Sequence, residues 1–190
     1  MSAKTVFSKE TIIETAFHIA HEDGLEHMTI RQIAKKMGSS IAPIYVNFET
    51  IEDLKKAVLE KARNRFSEML NQFTHEDPFL AYATASIQFS KTYPKLYNAF
   101  LLNEDHPSDT IKHVDGMLSV LKENPMYQSI GHKDLISYIL SMQAMQVGLS
   151  IMARKSYFQD YIDEKALIRL LDETGNTLIH HILHKNKETL

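Results

Sequence analysis

The chain contains no cysteine, which excludes disulfides and thiolate metal sites and makes a reducing compartment its natural setting. Glycine (6) and proline (5) are scarce among 190 residues, so the many tight turns of an all-β protein cannot be supplied and a mostly helical chain is expected. Residues 1–17, MSAKTVFSKETIIETAF, hold no long apolar stretch and no small-residue cleavage site of a secretory signal. The most apolar late stretch, AMQVGLSIMA (144–153), is interrupted by Gln146 and ended by Arg154 and Lys155. That is short of the ~20 apolar residues that span a bilayer. A cytoplasmic protein with no membrane attachment is expected. Nucleophile-elbow, P-loop and dinucleotide-binding glycine patterns are also missing. A small α-helical enzyme is therefore the alternative with least support, and no cofactor is expected.

What is present suits a soluble domain with a real core: 44% hydrophobic and 24% charged residues. The net charge of −3 rules out a chain coated in positive charge. Residues 1–66 carry 10 Lys/Arg against 9 Asp/Glu, and residues 67–190 carry 11 against 15. The asymmetry is weak, and any nucleic-acid footprint must be a local patch rather than a global field.

Helical periodicity organises the chain. In SKETIIETAFHIAHED (8–23), Ile12, Ile13, Ala16, Phe17, Ile19 and Ala20 fall largely on one face, Ser8 can cap the start, and Gly24 supplies a stop. TIRQIAKKMG (29–38) opens on a Thr29/Gln32 capping box and places Ile30, Ile33, Ala34 and Met37 inward, with Arg31, Lys35 and Lys36 outward. A short helix is expected at 41–46, started by Ser40, and a long one from Thr50 to Phe73. Further helices are expected at 78–93, 94–102, 110–123, 133–156 and 163–187, with loops at 103–109 and 124–132.

The stretch GSSIAPIYVNF (38–48) is too short to hold its shape alone, yet it carries Tyr45 and Phe48. Joined to helix 29–37 through a Gly-Ser turn, and braced by the preceding helix, it reads as the second half of a helix-turn-helix. Ile44 and Phe48 would anchor it, and its outer face would enter a DNA major groove. The plain alternative is a helical fragment of an ordinary α domain, with Lys55 and Lys56 on a solvated face beside Glu49, Glu52 and Asp53.

Residues 28–58, MTIRQIAKKMGSSIAPIYVNFETIEDLKKAV, resemble the DNA-binding module of the TetR family of bacterial transcriptional regulators. Thr29, Ile33, Ala34, Gly38, Ser40, Ile44, Tyr45, Asn47 and Phe48 fall on that family's pattern in register. The resemblance implies an all-α fold. A three-helix DNA-binding domain (1–50) would be joined by a long helix to a larger helical ligand-binding and dimerisation domain (51–190). It implies a homodimer that binds a double-stranded operator, as a repressor released by a small, mostly apolar effector. Thr29 would meet a phosphate, and Ser39, Ser40, Ala42, Pro43, Tyr45, Val46 and Asn47 would line the DNA face. Three departures stand out: Ala42 replaces a usual glycine, Pro43 falls at the third helical position so that Ser40 must cap the amide of Ala42, and Ile51 stands where a phosphate-binding lysine is frequent. Lys55 and Lys56 are the expected substitutes. A helical binding protein with a degenerate DNA head is the runner-up.

In the remainder, aromatic and methionine residues at helical spacing are ordinarily core. Collectively Phe66, Met69, Phe73, Tyr82, Phe89, Tyr93, Tyr97, Phe100, Met117, Tyr138 and Met142 are the candidates for an effector pocket. By resemblance, the last two long helices would form the dimer interface, through one stripe of Leu135, Ile139, Met142, Met145, Leu149 and Met152 and another of Leu167, Leu170, Leu171, Leu178 and Ile182. HHILH (180–184) puts His180, His181 and His184 at metal-compatible spacing. No carboxylate accompanies them at HExxH spacing, so a surface or dimer-contact cluster is the preferred reading and no metal is assigned.

Overall fold

Ser8 opens the first helix, its Oγ accepting the amide hydrogen of Thr11 at 3.2 Å, while Glu10 sits in the first turn. A backbone hydrogen bond and the Ser8 hydroxyl hold the Glu10 carboxyl below its ordinary range, as expected at the positive end of a helix dipole. The computed structural model describes residues 7–73, 77–102 and 107–188, and the side chains of all these except 101, 102, 107–113, 159 and 186–188. Among the described residues every regular element is helical. They are α1 (Lys9–Asp23), a single 3₁₀ turn (Leu25–His27), α2 (Ile30–Lys36), α3 (Ala42–Asn47) and α4 (Ile51–Leu70). After them come α5 (Pro78–Thr92), α6 (Pro94–Leu102), α7 (Pro107–Glu123), α8 (Pro125–Gln128), α9 (His132–Met152), α10 (Ser156–Gln159) and α11 (Glu164–Glu188).

The chain divides into two compact units. One comprises Met1–Met69 with Thr92–Asn103, the other Leu70–Lys91 with Glu104–Leu190. In the first, α1 packs on α2, α3 and α6. Its interior holds Ile12, Ala16, Phe17 and Ala20 of α1, Ile33 and Ala34 of α2, Ile44 of α3, and Leu54, Val58 and Ala62 of α4, all buried. Lys61 of α4 lays its stem along this core with its ammonium 5.8 Å from the centre of the Phe17 ring and paired with Glu14. That hydrogen bond holds the Glu14 carboxyl below its ordinary range. Its stabilising contribution is present above the unfolded glutamate pKa and is lost as pH falls through the depressed folded value.

In the second unit α9 packs against α7 and α11. By length and composition α9 could cross a membrane. Here Leu135, Tyr138, Ile139, Met142 and Leu149 are buried in a core shared with Phe79, Ile87, Leu121, Leu167 and Leu171, which makes it the central helix of this unit. The α11 helix approaches α9 closely at Gly175, where a Cβ would lie 3.1 Å from Tyr138 Oη and 3.2 Å from Met142 Cε. Burial pushes the Tyr138 phenol up, with Tyr127 beside it at 5.9 Å between ring centres, so both stay neutral at physiological pH. Gly175→Val adds three carbons against those two side chains and is expected to destabilise the unit by about 2 kcal/mol. A urea titration followed by circular dichroism reads this, and an unchanged midpoint contradicts the close packing.

Three local expectations are corrected. The segment 124–132 is not a loop throughout: Asn124 Oδ1 accepts the amide hydrogen of Met126 at 3.0 Å, and Pro125 begins the one-turn α8. The seventh helix starts at Pro107 instead of residue 110, while residues 103–106 of the expected polar loop lie outside the described residues. The helix expected to end at residue 156 stops at Met152, and Ser156 starts α10 instead.

Candidate nucleic-acid interface

Thr29 caps α2 reciprocally with Gln32. The Thr29 amide donates to Gln32 Oε1 at 2.9 Å, and the Gln32 amide donates to Thr29 Oγ1 at 3.3 Å. The helix ends in a Schellman turn: the Ser39 amide bonds the Ala34 carbonyl at 2.9 Å and the Gly38 amide bonds that of Lys35 at 3.1 Å. Gly38 has φ +65°, the left-handed conformation that costs a glycine almost nothing and other residues about 1–2 kcal/mol. This turn sets the exit of the chain toward α3.

The six residues of α3 start one position later than expected. Ile41 occupies the N-cap in the right-handed helical region, at φ −72° and ψ −17°, and no side chain caps the helix. Ser40 therefore does not bond the Ala42 amide; the Ser39 hydroxyl instead donates to the Ser40 carbonyl at 2.9 Å. Pro43 falls at the second helical position, where its missing N–H had no intrahelical partner to lose. Packing holds the segment, since Ile44 is 0% exposed and Phe48 is buried after it. The long α4 begins with a second reciprocal cap, Thr50 with Asp53.

Around α3 the outward groups divide by chemistry. Arg31, Lys35 and Lys36 are exposed on α2, and Ser40, Ala42, Tyr45 and Val46 are exposed on the turn and α3. Pro43 is half-buried, and Asn47 turns its amide back to donate to the Pro43 carbonyl at 2.9 Å. Lys36 is paired with Glu22 at 2.7 Å, a contact that also holds the Glu22 carboxyl below its ordinary range. Lys55 is paired with Glu52 at 3.0 Å, while Lys56 is exposed. Two residues had no role in the sequence reading. Ile41 is exposed four positions before Tyr45, a spacing visible in the sequence, and Lys9 sets its ammonium 5.3 Å from the Phe48 ring centre, which no local pattern signals.

The pocket candidates are distributed over both units. Phe66, Met69, Tyr93, Tyr97 and Phe100 belong to the first, and Phe73, Tyr82, Phe89, Met117, Tyr138 and Met142 to the second. Phe89, Tyr97, Tyr138 and Met142 are buried, and the others are half-buried. Of the two apolar stripes, Leu135, Ile139, Met142, Leu149, Leu167 and Leu171 pack inside the second unit. Met145, Leu178 and Ile182 are half-buried against that core, and Met152 and Leu170 are exposed. His180, His181 and His184 are exposed on α11, and among the described residues no three His, Asp or Glu groups are placed to hold a metal ion.

A helix-turn-helix on a three-helix base, followed by a larger helical unit, defines an all-α fold that solved structures share. A transcriptional regulator from Rhodococcus sp. Rha1 matches with a TM-score of 0.62 over 94% of this chain and 97% of that one, at 19% identity. A TetR variant from Acinetobacter baumannii AYE, in complex with minocycline, matches with a TM-score of 0.58 over 94% of this chain and 97% of its own, at 16% identity. The resemblance to the TetR family carried by residues 28–58 thus extends to the fold. Among curated proteins, an uncharacterized HTH-type transcriptional regulator of Mycobacterium tuberculosis is 28% identical over 110 residues, 54% of this chain. The chain spans about half the length of that relative, 50%. No protein-family model matches the chain.

Proposed function

We propose that the chain is a DNA-binding transcriptional regulator of TetR type: a cytoplasmic homodimer that represses from a double-stranded operator until a small, mostly apolar effector releases it. The observation that carries this reading is the helix-turn-helix itself, in which α3 is anchored by buried Ile44 while Tyr45 and Val46 are exposed, as are the cations of α2. Residues 1–50 serve as the DNA head and 51–190 as the regulatory body. Two heads in a symmetric dimer would meet half-sites about one helical turn, ~34 Å, apart. A second reading has one observation in its favour: Lys36 and Lys55 are tied to carboxylates, and Ile51 offers no cation, as in a head that has lost DNA affinity. Binding of the purified protein to DNA from upstream of its own gene, with competitor present and at two salt concentrations, separates them. Affinity that resists competitor and falls steeply with salt supports the regulator; the absence of specific binding both there and among genomic fragments favours the second reading.

The Glu22–Lys36 pair supplies a quantitative check. The Lys36 ammonium holds the Glu22 carboxyl below its ordinary range, so Glu22 is charged at neutral pH and the attraction fades as pH falls. Glu22→Gln leaves the Lys36 ammonium available for a phosphate. The slope of log K against log salt is expected to steepen by about 0.9, and affinity at low salt to rise severalfold. An unchanged slope contradicts a phosphate-facing role for Lys36.

A further inference from the structure

The outward face of α3 is apolar. Ile41 at its start is 45% exposed, Tyr45 55% and Val46 84%, with Ala42 exposed among them. Ile41 and Tyr45 are four residues apart, as are Ala42 and Val46, so the four share one side of the helix. None carries an amide, carboxylate, ammonium or guanidinium. Next to this face, Asn47 directs one amide hydrogen to the Pro43 carbonyl, and the Ser39 hydroxyl donates to the Ser40 carbonyl.

Base pairs present different groups in the major groove. Guanine is read through its N7 and O6 acceptors by Arg or Lys, adenine through N6 and N7 by Asn or Gln, and cytosine through its amino group by Asp or Glu. Thymine alone offers an apolar group, its C5 methyl, and apolar side chains contact it. Apart from the Tyr45 hydroxyl, the side chains of this face suit that last contact. Only four side chains make up this exposed face, and the module that carries it also exposes Arg31 and Lys35 on α2, so a polyanion with methyl groups between its phosphates suits it better than an apolar protein surface. Building on the DNA-binding reading above, we propose that α3 selects its operator through thymine methyl groups. Each half-site then carries T·A pairs at the positions facing Ile41, Ala42, Tyr45 and Val46, while exposed Arg31 and Lys35 hold phosphates without discriminating sequence.

Replacing thymine by uracil removes only the methyl and keeps every hydrogen-bonding group, so it isolates this contribution. The operator is first obtained by selecting bound sequences from random duplex DNA, and each half-site thymine is then replaced in turn. Uracil at a contacted position is expected to weaken binding about fourfold, near the value of one buried methyl, and uracil outside the half-sites to leave affinity within about twofold. Val46→Ala, at an exposed position that folding does not depend on, should weaken binding to the thymine operator and flatten the thymine–uracil difference at one position. Specific binding that is insensitive to every uracil, or a selected operator without thymine in its half-sites, overturns the methyl readout and leaves the DNA-binding reading standing. Failure to select any sequence overturns both.

Discussion

Replacing Ile44 with alanine is expected to free α3 from the N-terminal unit, lower DNA affinity at least about a hundredfold and leave the C-terminal unit intact. The helix has six residues, no side-chain cap and a proline at its second position, so little of its stability is its own. Ile44, at 0% exposure, is its one fully buried contact, with Phe48 sealing the far end. Truncating a buried isoleucine to alanine costs about 2–5 kcal/mol. Where that cost exceeds the docking energy of one short helix, the helix undocks without the rest of the unit unfolding. Hydrogen exchange resolved by segment checks this. The amides of Ile44, Tyr45 and Phe48, which bond carbonyls of residues 41 and 44, should lose protection, while those of α9 keep theirs. Retained protection in α3 contradicts the account of what holds it.

The second large effect lies in the C-terminal unit, where α5 and α9 meet through polar side chains inside an apolar core. Gln146 Nε2 donates to the hydroxyls of Ser86 and Ser150, the latter at 2.9 Å, and Ser150 Oγ donates to the Gln146 carbonyl at 2.8 Å. Ser90 Oγ lies 2.7 Å from the Ile87 carbonyl and 3.0 Å from that of Ser150. All four residues are buried, with Ser90 and Ser150 at 0% exposure. Gln146→Ala removes one of the hydrogen-bond links between the two helices and opens a cavity beside hydroxyls already withdrawn from water. A loss of about 3 kcal/mol is expected, or about 6–12 °C in the thermal midpoint. Thermal unfolding followed by circular dichroism measures it, and a shift below about 2 °C would show that the network is incidental to stability.

The helix-turn-helix was legible because its signals are local. Thr29 and Gln32 are three residues apart, Gly38 sits where a helix must end, and Ile33, Ala34 and Ile44 recur at helical spacing. The start of α3 was not, because Ser40 is a good capping residue by type, and only the backbone of Ile41 excludes it from that role. The Asn124-Pro125 pair did carry a helix-start signal, but α8 is one turn long and has too few residues to show a period. Glu22 and Lys36 are fourteen positions apart and meet only because α1 and α2 pack together. The α9 stripe illustrates a different limit: a period tells which residues face apolar surroundings, not whether their own chain provides them. Leu135, Ile139 and Leu149 find those surroundings within one chain.

In the proposed function α3, held by Ile44, enters a major groove and a symmetric pair of such helices reads DNA. Selection of bound sequences from a pool of random duplexes tests it most directly. An enriched sequence with two-fold symmetry is expected, its half-sites about one helical turn apart, and lost from the Ile44→Ala protein. A pool that remains random after successive rounds with folded protein would contradict it.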